Sequence, residues 1–261
     1  MIKLNGVVVE QNHFPDGTLL IKGEPFGKTQ AIEWVYESDA ELFTVYCLKR
    51  HIDRVCREAT VYLEMWYIPN ARQDRVKSPN DVFTLKYFAE IINSLNFYSV
   101  HVLDPHSPVS IALIDRVRVF SPTKLIESAI DSCSPDLLFF PDEGAMKRYS
   151  DCFAMKNAFG VKRRDWENGK IEGLDVLGCV DDIEGKTVLI VDDICSRGGT
   201  FYHSAKKLKE LGAKEIYLYI THCENTILEG EVLTSGLIEK VYTTKSIFTK
   251  EHEKIEVIEC L

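Results

Sequence analysis

Residues 188–200 read VLIVDDICSRGGT. An aliphatic run leads into Asp192 and Asp193. A short loop of Ser196, Arg197, Gly198, Gly199 and Thr200 follows, and then a helical pattern, FYHSAKKLKELG, closed by Gly212. A continuous apolar run bounded by turn residues reads as a strand buried on both faces. Polar groups at the carboxyl end of such a strand stand where open α/β sheets bind ligands. Gly198 and Gly199 let successive N–H groups converge on one anion, and the helix beginning near Thr200 adds its positive end. The loop suits a phosphate. Two carboxylates repel a phosphate but suit sugar hydroxyls or a metal ion. The stretch therefore predicts a ribose-phosphate site built from Asp192, Asp193, Cys195, Ser196, Arg197, Gly198, Gly199 and Thr200.

Outward from this stretch, KEIYLYITH reads as the next strand. Upstream, SPTKLIESAID is helical, DLLFFPD a strand, EGAMKRY the start of a helix, and CFAMK a strand. Such alternation predicts α/β structure, with mainly parallel sheets covered by helices on both faces. The first third opens with β-like runs, LNGVVVE, TLLIKGE and AIEWVY, and Asp16–Gly17 punctuates the first two as a hairpin turn would. Residues 39–57 carry helical spacing with Ser38 or Asp39 as N-cap, and ATVYLEMWYI is a strand. A polar loop, PNARQDRVKSPND, precedes an amphipathic helix over 84–95 and the strand YSVHVLD. The pattern restarts near residue 120, so two domains are expected, 1–120 and 121–261.

The 261 residues suit two domains, and 45% hydrophobic residues can fill their cores. A formal charge of −9 argues against general nucleic-acid binding. The eight cysteines form no CxxC pair and no zinc spacing, which favours free thiols in a reducing compartment. The sequence shows no signal-peptide core and no apolar run of transmembrane length. A soluble cytoplasmic protein, away from membranes, is the expectation.

VLIVDDICSRGGT resembles the ribose-phosphate-binding signature shared by type I phosphoribosyltransferases and ribose-phosphate pyrophosphokinases. Three upstream segments separate the two groups. FPDG at 14–17 resembles the FSDG segment of the pyrophosphokinases, NARQDR at 70–75 their YARQDR loop, and LDPHSP at 103–108 their LDLHAP. The resemblance runs over roughly residues 14–250. It implies two phosphoribosyltransferase-like domains, an N-terminal one for ATP and a C-terminal one for ribose phosphate. It also implies magnesium-dependent transfer of the pyrophosphoryl group of ATP to the 1-hydroxyl of ribose 5-phosphate, giving phosphoribosyl pyrophosphate (PRPP) and AMP.

Site roles follow from the same resemblance. Arg72, Gln73 and Arg75 would bind ATP, in keeping with a cationic loop in an acidic chain. Phe14 and Asp16 would reach the adenine of a neighbouring subunit, which implies a homo-oligomer, at least a dimer. His106 would contact magnesium and ATP, and Asp142 would help hold the metal. Lys156, at the end of the CFAMK strand, would be the catalytic cation, with Arg163 or Arg164 beside it on a mobile segment. Arg197 departs from the family loop, which carries small neutral residues there. It suits a 5-phosphate, or a larger acceptor such as ADP-ribose, which compact relatives in bacteriophage NAD-rebuilding pathways pyrophosphorylate. A non-catalytic, synthetase-associated paralogue and a phosphoribosyltransferase are further alternatives. The latter leaves ARQDR unexplained.

Overall fold

A computed structural model of the chain describes residues 1–164 and 171–259, and the side chains at 162–164 and 171–172 lie outside that description. The chain divides into two units, Met1–Ser121 and Pro122–Leu261. Each is α/β, built on a mainly parallel sheet flanked by helices.

The first unit starts with β1 (Ile2–Leu4) and β2 (Val7–Val8), antiparallel to each other. Asn5 and Gly6 between them have φ of 52° and 80°. Two positive φ values make the turn that matches strand twist, for which Asn-Gly is the preferred pair. LNGVVVE is therefore a hairpin, not the single strand that its β-like composition suggests. A hairpin does form around Asp16–Gly17, but its first arm is β3 (Gln11–His13), beyond the LNGVVVE run expected to supply it, and its second is β4 (Leu19–Ile21). β5 (Thr29–Trp34) leads to α1 (Glu41–Val55), β6 (Thr60–Glu64), α2 (Thr84–Ser94), β7 (Ser99–Leu103), α3 (Pro108–Leu113) and β8 (Val117–Phe120). The sheet order is β2-β1-β5-β6-β7-β8, with β5 to β8 parallel.

Helix α1 begins later than expected. Its N-cap is Ala40, with no side-chain capping bond, rather than Ser38 or Asp39. The first-turn amides of Leu42 and Phe43 donate instead to the carbonyls of Asp39 and Ala40, and the segment before the helix is braced by Glu41. Its buried carboxylate accepts from Trp34 Nε1 at 3.0 Å, Glu37 N at 2.8 Å and Ser38 N at 3.4 Å. The pleat sends Ile32, Leu63, Met65, Val100 and Val102 to one face, where they pack with Leu48, Ile52, Leu85 and Phe88 of α1 and α2. The other face carries a ladder of rings, Tyr98, Tyr62, His101, Phe120 and Trp66, with neighbouring centroids 5.2–5.5 Å apart.

The second unit runs α4 (Thr123–Cys133), β9 (Leu137–Phe140), α5 (Glu143–Tyr149), β10 (Asn157–Arg164), β11 (Ile171–Gly178), β12 (Thr187–Cys195), α6 (Gly199–Glu210), β13 (Glu215–Cys223), β14 (Lys240–Thr244) and β15 (Ile255–Ile258). Its sheet order is β11-β10-β9-β12-β13-β14-β15, parallel throughout except for β11. From β9 the chain moves outward to β10, and β12 returns on the other side of β9. The carboxyl ends of β9 and β12 therefore flank a topological switch point, where open α/β sheets form a ligand crevice.

One expected strand is absent. Residues Ser150–Cys152 form a 3₁₀ turn continuing from α5, and the strand begins only at Asn157. CFAMK is thus a connection, and the basic segment after it is the first arm of the β10–β11 hairpin.

Candidate active site

The aspartate-bearing stretch is still strand: Ile194 and Cys195 remain in register with His222 and Cys223 of β13. The strand gives way at Ser196. Gly198 then takes φ 78° as the N-cap of α6. A Cβ at Gly198 would also lie 2.3 Å from Val232 Cγ2, so both conformation and space require glycine there. Gly230, a residue the sequence does not single out, supports the loop from below. A Cβ at that position would lie 1.9 Å from the Arg197 carbonyl oxygen. The first turn of α6 directs its N-terminal amides toward the space above the loop.

The two aspartates are not equivalent. Asp193 is almost inaccessible, with a side chain 4% exposed, and its Oδ2 lies 2.7 Å from Arg148 Nη1 on α5. Of the two expected sugar ligands, Asp193 is thus enclosed and ion-paired in this structure. Asp192 is half-buried, and its Oδ1 accepts from Asp193 N at 2.9 Å. Burial pushes the Asp192 carboxyl well above its usual range; the charge of Asp193 adds to this, and Asp142 contributes further repulsion. Asp142 stands at the carboxyl end of β9 and caps α5, accepting from Ala145 N at 3.1 Å. Asp142 and Asp192 thus face one switch-point crevice.

Cys195 lies beneath the loop rather than in it. It is 1% exposed within the core cluster, and its Sγ donates to the Ser196 carbonyl at 3.2 Å. A hydrogen bond with Cys223 and burial raise its thiol. Its side chain packs beneath the loop. Arg197 is at the rim, 73% exposed, and pairs with Glu229 at 3.0 Å.

Lys156 lies at the other end of the sheet. Its carbonyl accepts from Leu138 N, beside the start of β9. Gly160, four residues on, is level with Pro141. At about 3.3 Å per residue, roughly 13 Å of strand separates Lys156 from the carboxyl end. Its ammonium pairs instead with Asp182 at 2.9 Å. The structure does not bring Lys156 to the aspartates. The backbone at Lys162, Arg163 and Arg164 continues β10 past the carboxyl end of β9, while their side chains lie outside the described residues.

In the first unit, the ARQDR loop and the DPHSP turn meet through a residue the sequence reading passes over. Asp74 accepts from Ser107 Oγ at 2.8 Å and from Arg75 Nε at 2.7 Å. The Arg75 hydrogen bond, then that from Ser107, with charge from Arg75 and His106, holds the Asp74 carboxyl down at about 2. Gln73 Oε1 accepts from Thr84 Oγ1 at 2.8 Å, tying the loop to α2. Arg72 is exposed and His106 half-buried beside this junction. Asp104, at the end of β7, is buried with φ 41°, a left-handed conformation that asparagine and aspartate tolerate better than most residues. Phe14 is 50% exposed on the β3–β4 turn, where Asp16 Oδ1 accepts from Thr18 N and Oγ1.

Among the described residues, no three His, Cys, Asp or Glu side chains form a metal cage, and no helix is long and apolar enough to cross a membrane. Magnesium does not require such a cage. It is commonly held by one or two carboxylates plus substrate phosphates. Asp142 and Asp192 fit that all-oxygen preference better than the nitrogen of His106.

A glycine loop at a helix start, next to acidic residues at the switch point of a parallel sheet, defines a phosphoribosyltransferase-like protein. The model of the phosphoribosyl synthetase-associated domain matches residues 172–260. The ribose-phosphate pyrophosphokinase of Thermococcus kodakarensis is 30% identical, over 89% of this chain and 81% of that protein. That of Pyrococcus abyssi is 27% identical, over 98% and 89%. The crystal structure of phosphoribosylpyrophosphate synthetase from Mycobacterium smegmatis has the same fold, with a TM-score of 0.76 at 19% identity, over 97% of this chain and 86% of that one. The chain belongs to the ribose-phosphate pyrophosphokinase family, and is thus a diphosphokinase-type enzyme.

Proposed function

We propose that the protein transfers the pyrophosphoryl group of ATP to the anomeric hydroxyl of ribose 5-phosphate, forming PRPP and AMP. The observation that carries this is the switch-point crevice of the second unit, where Asp192 and Asp142 stand beside the glycine-shaped start of α6. The family relatives named for this activity support it. Asp192 would hold sugar hydroxyls, and the amides of 196–200 would hold the 5-phosphate. The ribose oxygen attacks the β-phosphorus, the bond from that phosphorus to the AMP oxygen breaks, and the hydroxyl proton passes to solvent. Such a transfer depends on positioning and charge neutralisation more than on covalent chemistry by the protein. Magnesium, when bound with ATP, supplies charge neutralisation on the phosphate oxygens, and Asp142 offers it a carboxylate. Arg72, Gln73, Arg75 and His106 would receive ATP, with Asp74 fixing their loop. In place of Lys156, Lys162 with Arg163 or Arg164 would supply cations, because β10 carries them to the carboxyl end. A homo-oligomer, with Phe14 and Asp16 reaching a neighbouring subunit, belongs to this proposal, as does a cytoplasmic place of action.

Arg197 supports a second acceptor. Its ion pair with Glu229 is exposed, and such pairs are worth little. A diphosphate-bearing acceptor such as ADP-ribose could displace Glu229 and take the guanidinium. AMP release from ATP, measured in parallel with ribose 5-phosphate and ADP-ribose, decides between them. Turnover of ADP-ribose with none of ribose 5-phosphate would overturn the first choice, and AMP release with neither would overturn both.

A further inference from the structure

Arg148 lies outside the glycine loop and outside the segments that suggest ATP binding, yet it makes the closest described contact to the aspartate pair. Its Nη1 is 2.7 Å from Asp193 Oδ2, whose side chain is 4% exposed. The same Nη1 donates to Tyr149 Oη at 3.4 Å, and the guanidinium sits 5.5 Å from the centre of the Tyr149 ring. Tyr149 is itself 2% exposed and stacks on Phe140 of β9 at 6.4 Å. Arg148 is therefore held between Asp193 of β12 and Tyr149 of its own helix, with 31% of its side chain exposed.

A buried carboxylate is costly without a countercharge, and two consecutive carboxylates repel. The described ion pair of Arg148 is with Asp193. Asp193 is too enclosed to be a simple sugar ligand, whereas Asp192 faces the crevice with Asp142. We propose that Arg148 and Asp193 form a positioning unit that ties β12 to α5, and so sets Asp192 and the 196–200 loop for the ribose-phosphate acceptor. This rests on the ribose-phosphate reading of that crevice. A planar guanidinium suits the role because it can engage a carboxylate and a ring in one fixed geometry.

The test is a double-mutant cycle on the intact chain with R148Q, D193N and the R148Q/D193N pair. Turnover is read as separate Michaelis constants for ATP and acceptor. Binding of ribose 5-phosphate, and in parallel ADP-ribose, is read by calorimetry without ATP. R148Q is expected to weaken acceptor binding at least tenfold and to leave the ATP constant within twofold. R148K, which keeps a charge beside Asp193 but loses the planar fork, is expected to recover only part of that loss. The double variant is expected to be no worse than the poorer single one, because each partner acts through the other. Additive losses would make Asp193 a ligand in its own right and overturn the proposal. So would equal rises in both Michaelis constants, or a fall in melting temperature with acceptor binding unchanged. If R148Q does not fold, D193N with and without R148K gives the same comparison. Wild-type binding without AMP release would sink the proposed reaction while the binding cycle still judges the ion pair. A wild type that binds neither acceptor sinks both.

Discussion

Substituting Gly230 by alanine isolates the fit of the phosphate loop. Gly230 has φ −98°, an ordinary value, so alanine meets no backbone strain there. The obstacle is purely steric. The new Cβ would stand 1.9 Å from the Arg197 carbonyl oxygen, and the two must part by about 1.1 Å to reach even 3.0 Å. The obstacle is backbone, so no side-chain rotation relieves it. Gly230 is held by its N–H bond to Ile227 at 3.1 Å, whereas the Arg197 side of the contact is loop. The shift should fall on residues 196–200. Overpacking of this kind costs about 1–3 kcal/mol, which lowers the melting temperature by a few degrees for each kcal/mol at this size. A misplacement of about 1 Å at a reacting group costs on the order of 100-fold in rate. The expected phenotype is a folded protein whose kcat/KM for the ribose-phosphate acceptor falls about 10- to 100-fold, with the KM for ATP within twofold. Steady-state AMP release against varied acceptor, beside a thermal melt, reads both. Acceptor kcat/KM within twofold of the parent would refute the inference that Gly230 sets the loop.

Lys156→Ala should retain activity within about twofold, because an exposed ion pair such as Lys156–Asp182 contributes little. Lys162→Ala should lower kcat by at least about 100-fold, as loss of a charge-stabilising group does; the opposite ranking of these two would restore Lys156 to the catalytic role. Asp74→Asn should raise the KM for ATP about tenfold, since charge-assisted bonds to Arg75 and Ser107 are weakened. Because the folded Asp74 carboxyl lies at about 2, below its unfolded value near ~3.9, its stabilisation is present above about pH 4 and is lost as pH falls toward 2. The stability gap between parent and Asp74→Asn in denaturant melts should be constant from pH 7 to about 4 and then close; a gap already closed at pH 5 would contradict the assignment.

Long periodic segments were legible from residues alone. The helix at 84–95 appears as α2, and the run KTVLIVDD at 186–193 as β12, which continues two residues further to Cys195, because burial on a face or in a sheet imposes its period on the chain. Short elements were not. α3, β8, β14 and β15, four to six residues each, are too short to show a period, and the eight-residue arms β10 and β11 were hidden too, because their basic, glycine-containing run reads as a loop. CFAMK misleads because its apolar residues follow a 3₁₀ turn instead of entering the sheet. In the candidate site, the glycine loop and aspartates declare themselves by local spacing. Their supports do not, because each depends on a contact between residues distant in sequence: Arg148 with Asp193, Gly230 with Arg197, Asp74 with Ser107. Arg148 in isolation looks like any cation in the last turn of a helix.

Helix α5 is only seven residues long, yet both of its ends are committed. Asp142 caps its start at the lip of β9, and Arg148 near its finish grips Asp193 on β12. At 1.5 Å per residue the two attachments are roughly 9 Å apart along a hydrogen-bonded rod. Such a rod acts as a gauge block. The carboxylate offered to a metal and the strand offered to a sugar share one rigid spacer, so neither can drift without carrying the other. A single helical turn inserted into α5 would leave both motifs intact in the sequence while throwing them out of step in space.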